Sequence, residues 1–126
     1  MSWLWTFGQV PEVDAAKLLE ITEAGKGTTP SPVLIDVRTE AEWEAGHIAG
    51  SLNASFLPPW SFKSRILPLI EHVPKSAEIY VICLSAHRSI GALKWLRAQG
   101  YTNVQQLKGG MKAWRDQKLS EDSPNK

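Results

Sequence analysis

The chain has 126 residues, of which 43% are apolar and 21% charged, the size and composition of one ordinary globular domain. Its formal net charge is +1, and its lysines and arginines are scattered, so the sequence gives no electrostatic basis for binding nucleic acid. A single cysteine excludes an intramolecular disulfide, and nothing else indicates an oxidising compartment.

The chain begins with an aromatic stretch, residues 1–9, which contains Trp3, Trp5 and Phe7. It is too short to span a bilayer and lacks the pattern of a signal peptide, so we expect a cytoplasmic protein without a membrane span. These aromatic side chains either pack onto the domain's own surface or meet a partner, and the sequence leaves both open. It does not determine the oligomeric state.

Residues 10–118 alternate apolar β-forming runs with segments of helical spacing, and a polar tail follows at 119–126. The expected strands are 10–13, 33–37, 47–53, 78–83 and 103–107. The expected helices are 14–25, 39–46, 61–72, 88–99 and one that starts after a turn at Gly109-Gly110. Asp14 is expected to cap the first helix, and Thr39 and Glu42 to form a capping box at the start of the second. Pro68 is expected to kink or split the third helix, and the tail from Ser120 to fray. This alternation predicts an α/β domain with a mostly parallel sheet.

Cys83 stands at the end of one predicted strand, in a loop that opens the next predicted helix at Arg88. In parallel sheets ligands bind beyond the carboxyl ends of strands. The loop's N–H groups and the positive end of the helix would favour the thiolate, and His87 in the same loop could pair with it. The sequence therefore predicts a reactive thiol at Cys83.

Other polar residues have expected roles around this loop. Asp36, at the end of a buried strand, needs a partner, which could be Arg88 or Arg38. Ser89 is expected to cap the helix, with donation to the sulfur as the alternative, and His47 to bind a backbone carbonyl. The chain has no His or Cys cluster with metal-ligand spacing, so we expect neither a metal nor a cofactor.

Four stretches, in order along the chain, resemble the motifs of the rhodanese-like sulfurtransferases. They are Leu34–Arg38 with Glu42-Trp43, Gly46–Ser51, Cys83–Ser89 and Leu107–Trp114. The resemblance covers residues 10–118 and implies a five-stranded, mostly parallel sheet flanked by helices on both faces. It also implies that Cys83 is a catalytic nucleophile carrying sulfur as a persulfide, with Asp36 and Arg38 in support. The substrate-binding loop would be Leu84, Ser85, Ala86, His87, Arg88 and Ser89.

By the same resemblance, sulfur would pass from thiosulfate, or from a small-molecule or protein persulfide, to a thiophilic acceptor. The partners would then be a small sulfur-containing anion or thiol, or a sulfur donor or acceptor protein. In related cell-cycle phosphatases the arginine follows the cysteine by six residues. Here Arg88 follows Cys83 by five, and the shorter loop favours a sulfur atom over a phosphate as its ligand. A phosphatase or arsenate reductase, and a non-catalytic binding module, remain alternatives. Leu84, Ala86 and Glu42 depart from the family pattern and leave the preferred donor open.

Overall fold

A sheet of five parallel strands forms the centre of the computed structural model, which describes residues 11–25, 27, 31–84 and 88–123. The strands are β1 (Glu12–Val13), β2 (Val33–Asp36), β3 (Leu52–Asn53), β4 (Ile79–Ile82) and β5 (Val104–Leu107). The helices are α1 (Ala15–Gly25), α2 (Glu40–Ala45), α3 (Phe62–Ile70), α4 (Arg88–Ala98) and α5 (Gly110–Asp116). A short 3₁₀ turn, Pro59–Ser61, precedes α3.

The strand order is β1-β5-β4-β2-β3, and each neighbouring pair is parallel. β4 lies in the middle, and all four of its residues are buried, as its continuous apolar run predicts. Asp36 is in register with Ile82, so β2 and β4 end at the same edge of the sheet. The residues that follow these two strands therefore meet at one edge.

Helices cover both faces of the sheet. Alternate side chains of β4 point to opposite faces, with Val81 on one and Tyr80 on the other. α3 and α4 pack on the first face, and α1 and α5 on the second. The expected fold class, a five-stranded parallel α/β sheet with helices on both faces, is confirmed.

Local signals set the starts of the first two helices. The Asp14 carboxylate accepts a hydrogen bond from the backbone N–H of Lys17 at 2.8 Å, which is N-cap geometry. Thr39 and Glu42 form the predicted capping box at the start of α2. Both helix starts were predictable because each cap involves residues only three positions apart.

Of the two effects expected of Pro68, the split is wrong, whereas the kink stays a prediction. α3 continues through Pro68 and ends two residues later, at Ile70. A proline in the last turn removes one N–H, the partner of the Ser64 carbonyl, and both residues are exposed, so water can satisfy that carbonyl.

The expected fraying of the tail is wrong for residues 120–123. His47 and Asp122 exchange backbone hydrogen bonds of 2.9 and 2.7 Å. The indole N–H of Trp114 donates to the Ser120 carbonyl at 3.0 Å, and the Ser123 hydroxyl donates to the Glu44 carbonyl at 3.1 Å. These bonds hold the start of the tail on the domain, while residues 124–126 lie outside the described part.

Within the described part of the chain, no helix combines the length and apolarity needed to cross a bilayer. The aromatic stretch, residues 1–9, lies outside the described residues. Its packing or partner contact therefore stays a prediction.

Two neighbouring residues of α3 test the assignment of its buried face. Ile66 is fully buried in the core, whereas Leu67 is 39% exposed. Because Ile66→Ala leaves a cavity, we expect it to lower the free energy of unfolding by about 2–5 kcal/mol. The matched control Leu67→Ala should cost less than about 1 kcal/mol. Urea denaturation measures both, and equal losses would contradict the assigned face.

Candidate active site

Cys83 directly follows β4, and its side chain is buried, 1% exposed, at the carboxyl edge of the sheet. Its Sγ lies 3.5 Å from the Oγ of Ser89, in the first turn of α4. α4 has 11 residues and begins at Arg88, so the N–H groups of its first turn and its positive dipole end lie beside the sulfur. The structure thus contains the predicted order of strand, cysteine and helix.

Three members of the expected substrate-binding loop, Ser85, Ala86 and His87, lie outside the described residues. The cradle of loop N–H groups and the pairing of His87 with the thiol therefore stay predictions. Leu84, which is described, is half-buried and packs against the apolar cluster beneath α1 and α5.

The start of α5 anchors the junction between β4 and the loop. The backbone N–H of Met111 donates to the Cys83 carbonyl at 2.7 Å, and that of Lys112 to the Leu84 carbonyl at 3.0 Å. Gly110 makes this approach possible, because a Cβ there would collide with both carbonyls. Its φ of +60° is also in the left-handed region that favours glycine. The glycine pair, predicted only as a turn, thus also fixes the backbone that carries the thiol.

Asp36 pairs with Arg38, which settles one alternative left open by the sequence. The Arg38 guanidinium donates through Nε to Oδ1 at 3.0 Å and through Nη2 to Oδ2 at 2.8 Å, and both side chains are fully buried. The same Nη2 donates to the Gly46 carbonyl at 2.7 Å. Asn53 donates to the carbonyls of Asp36 and Arg38 at 3.1 and 2.9 Å. This network fixes the end of β2 beside the strand that carries Cys83.

Arg88 pairs with Glu42, a partner that we did not predict. Its Nη1 and Nη2 donate to Oε1 and Oε2 at 2.9 and 3.1 Å. The hydrogen bond from Arg88 lowers the pKa of Glu42 to about 2, with further help from Thr39 and some opposition from burial. The same bond raises the pKa of Arg88. Glu42 therefore does more than complete the capping box, because it also compensates the charge of Arg88.

Ser89 does not cap α4. It lies inside the first turn, and its hydroxyl donates to Oε1 of Gln106 at 2.7 Å while its oxygen faces the thiol. The preferred capping role is therefore wrong. Gln106 is the site residue that sequence reasoning missed. The sequence shows only two neighbouring glutamines in β5, and it is the structure that places Gln106 in the interior, 2% exposed, and leaves Gln105 partly exposed.

His47 has the structural role that we expected. Its Nδ1 lies 2.7 Å from the Trp43 carbonyl, and its ring stacks on the Trp43 indole at a centroid distance of 3.9 Å. In residues 11–25, 27, 31–84 and 88–123, no group of three or more His, Cys, Asp or Glu side chains is arranged to hold a metal ion.

The Glu42–Arg88 pair should contribute a pH-dependent coupling energy to stability. The folded-state pKa of Glu42, about 2, lies below its ordinary value of 4.5. The contribution is therefore complete above about pH 4.5 and is lost as the pH falls toward 2. In a double-mutant cycle of Glu42→Gln and Arg88→Gln, we expect a coupling of about 1 kcal/mol at pH 7, because both groups are partly exposed.

Urea denaturation at pH 7 and pH 3 tests this, and more than half of the coupling should be gone at pH 3. Glu44 is an exposed carboxylate on the same helix, so a cycle of Glu44→Gln with Arg88→Gln is the matched control and should show no coupling. A Glu42–Arg88 coupling that does not change with pH would contradict the ionic nature of the pair.

Comparison with known proteins agrees with this architecture. A family model described as the rhodanese-like domain matches residues 14–117. A solved structure of the rhodanese-like domain of an Anabaena protein is 27% identical and covers 91% of this chain and 80% of that chain, with a TM-score of 0.73.

Two curated relatives carry different names. A "Sulfurtransferase" of Allochromatium vinosum is 34% identical over 87 residues, which are 68% of this chain and 74% of that protein. A "tRNA uridine(34) hydroxylase" of Prochlorococcus marinus is 36% identical over 99 residues, which are 75% of this chain but only 30% of that protein. The family match and the sulfurtransferase relative lead to the same conclusion: this chain belongs to the rhodanese-like domain family.

Proposed function

We propose that the protein is a sulfurtransferase in which Cys83 accepts a sulfane sulfur as a persulfide and passes it to a thiophilic acceptor. The observation that carries this proposal is the position of the Cys83 Sγ, 3.5 Å from the first turn of α4 at the end of β4. A helix N-terminus stabilises negative charge, and both the thiolate and the persulfide are anionic. The sulfurtransferase among the relatives supports the same chemistry.

The reaction has two displacement steps. In the first, the Cys83 thiolate attacks the terminal sulfur of the donor, so a new S–S bond forms as the donor's own bond to that sulfur breaks. The donor leaves as an anion, which is sulfite from thiosulfate or a thiolate from a persulfide. In the second, the acceptor attacks the terminal sulfur on Cys83 and releases the thiolate again. The two steps balance without an external oxidant or reductant.

The Glu42–Arg88 pair bears on which donor is preferred. Arg88 is the cation of the expected loop, and Glu42 compensates its charge through two hydrogen bonds. A dianion such as thiosulfate gains less from a compensated arginine than from a free one, because the nearby carboxylate repels it. We therefore assign a persulfide, on a small molecule or a protein, as the preferred donor.

The same pair argues against phosphatase or arsenate reductase activity. Arginine recognises a phosphate through two parallel N–H donors, and Arg88 already uses both guanidinium edge nitrogens on Glu42. A phosphate or arsenate dianion would have to displace the Glu42 carboxylate or bind Arg88 beside it against its repulsion.

Sulfur uptake is tested by intact mass after incubation with thiosulfate or a small-molecule persulfide. We expect a gain of about 32 Da, one sulfur, on the wild type, because the Cys83 thiolate is the attacking nucleophile. Cys83→Ser should show no gain. An unmodified wild type with every sulfane-sulfur donor would contradict the proposed function.

Donor preference is tested with Glu42→Gln, which keeps a capping-box residue but removes the negative charge. Because the repulsion of a dianion is relieved, kcat/KM for thiosulfate should rise about three- to tenfold. With an alkyl persulfide, which carries at most one negative charge, it should rise less. The control Glu44→Gln removes an exposed charge from the same helix and should leave both values unchanged. Equal effects on the two donors would contradict the assigned role of Glu42.

A further inference from the structure

A chain of hydrogen bonds runs from the thiol of Cys83 to the edge of the sheet. The Cys83 Sγ lies 3.5 Å from the Ser89 Oγ, and that oxygen lies 2.7 Å from the Gln106 Oε1. The Gln106 Nε2 lies 2.8 Å from an oxygen of Glu12, which faces Gln106 across the β1–β5 pairing. The first three residues are buried, whereas Glu12 is exposed.

The chemistry of the groups fixes the direction of every bond in this chain. A carboxylate only accepts, so the amide nitrogen of Gln106 faces Glu12 and its oxygen faces Ser89. That amide oxygen also only accepts, so the single hydroxyl hydrogen of Ser89 points to Gln106. The Ser89 oxygen therefore presents a lone pair to Cys83.

This direction suits a protonated cysteine. A thiol can donate its S–H to the Ser89 oxygen, whereas a thiolate needs a donor at that position. For Ser89 to donate to the thiolate, its hydrogen must leave Gln106, whose buried amide oxygen would then lose its partner. The bonds that satisfy Gln106 therefore oppose formation of the anion on Cys83.

We propose that Gln106 and Glu12 are positioning residues that hold the Ser89 hydroxyl hydrogen away from Cys83 and so restrain the reactivity of its thiol. The consequence for sulfur transfer rests on the proposed function, but the effect on the thiol does not. Glu12, an exposed side chain on the edge strand, thereby acts on a buried thiol through two intervening side chains.

The experiment measures alkylation of Cys83 by iodoacetamide, which needs no sulfur donor. The thiolate attacks the reagent's carbon, iodide leaves, and the thiol proton goes to the buffer. Gln106→Leu removes the acceptor and frees the Ser89 hydroxyl to donate to the thiolate. Alkylation at pH 7 should become about tenfold faster, since a hydrogen bond to a charged group has that order of effect, and the midpoint of the pH profile should move to lower pH.

Two further variants separate this effect from a loosened core. Adding Ser89→Ala to Gln106→Leu should abolish the gain, because the donor is then absent, whereas a loosened core would keep the thiol reactive. Glu12→Ala changes only the surface and should also speed alkylation, since the Gln106 amide can then turn its nitrogen toward Ser89. Arg88 and its partner Glu42 stay unchanged in all variants, so the ion pair at the start of α4 is the same throughout.

Two more variants, at Glu12 and Glu20, complete the alkylation experiment. Glu12→Gln supplies an amide that donates as well as accepts, so it fixes the direction of Gln106 less firmly than the carboxylate and should alkylate at a rate between those of the wild type and Glu12→Ala. Glu20→Ala removes an exposed carboxylate from α1 and should alkylate like the wild type. The proposal is overturned if Gln106→Leu and Glu12→Ala alkylate no faster than the wild type, or if the gain persists without Ser89. Because no donor takes part, failure of sulfur uptake would bear only on the proposed function.

Discussion

The bidentate ion pair between Arg88 and Glu42 joins the first turn of α4 to α2 across the carboxyl edge of the sheet. It holds the first turn of α4, and with it the positive end of that helix, at the edge where the Cys83 thiol lies. In this pair Arg88 serves to position α4, because its charge is compensated by Glu42. Under the proposed function, the positive end of α4 is then left to stabilise an anionic sulfur, with little reorganisation when the substrate arrives.

Two further sets of contacts hold the same edge of the sheet in place. The buried Asp36–Arg38 pair fixes the end of β2, and the close approach of Gly110 ties the Cys83 and Leu84 carbonyls to α5. Each contact holds the backbone at the point where a strand passes into a loop. The thiol is therefore carried by a rigid junction, as a site that depends on preorganised donors requires.

The sequence was sufficient for the features that depend on neighbouring residues. Apolar runs predicted the strands, and the spacing of Thr39 and Glu42 predicted the capping box, since such signals act within one turn. The second partner of Glu42 lies 46 residues away, so it depends on how α2 and α4 pack. Gln106 and Glu12 are 94 residues apart in the sequence, and they meet because the strand order places β1 beside β5.

The central claim is that the backbone and the helix end, rather than Arg88, hold the charge of the sulfur on Cys83. A crystal structure of the protein after reaction with a persulfide donor tests it most directly. We predict one additional sulfur on the Cys83 Sγ, with Arg88 still bound to Glu42 at the present 2.9 and 3.1 Å. An Arg88 side chain that has left Glu42 and contacts the terminal sulfur would contradict it.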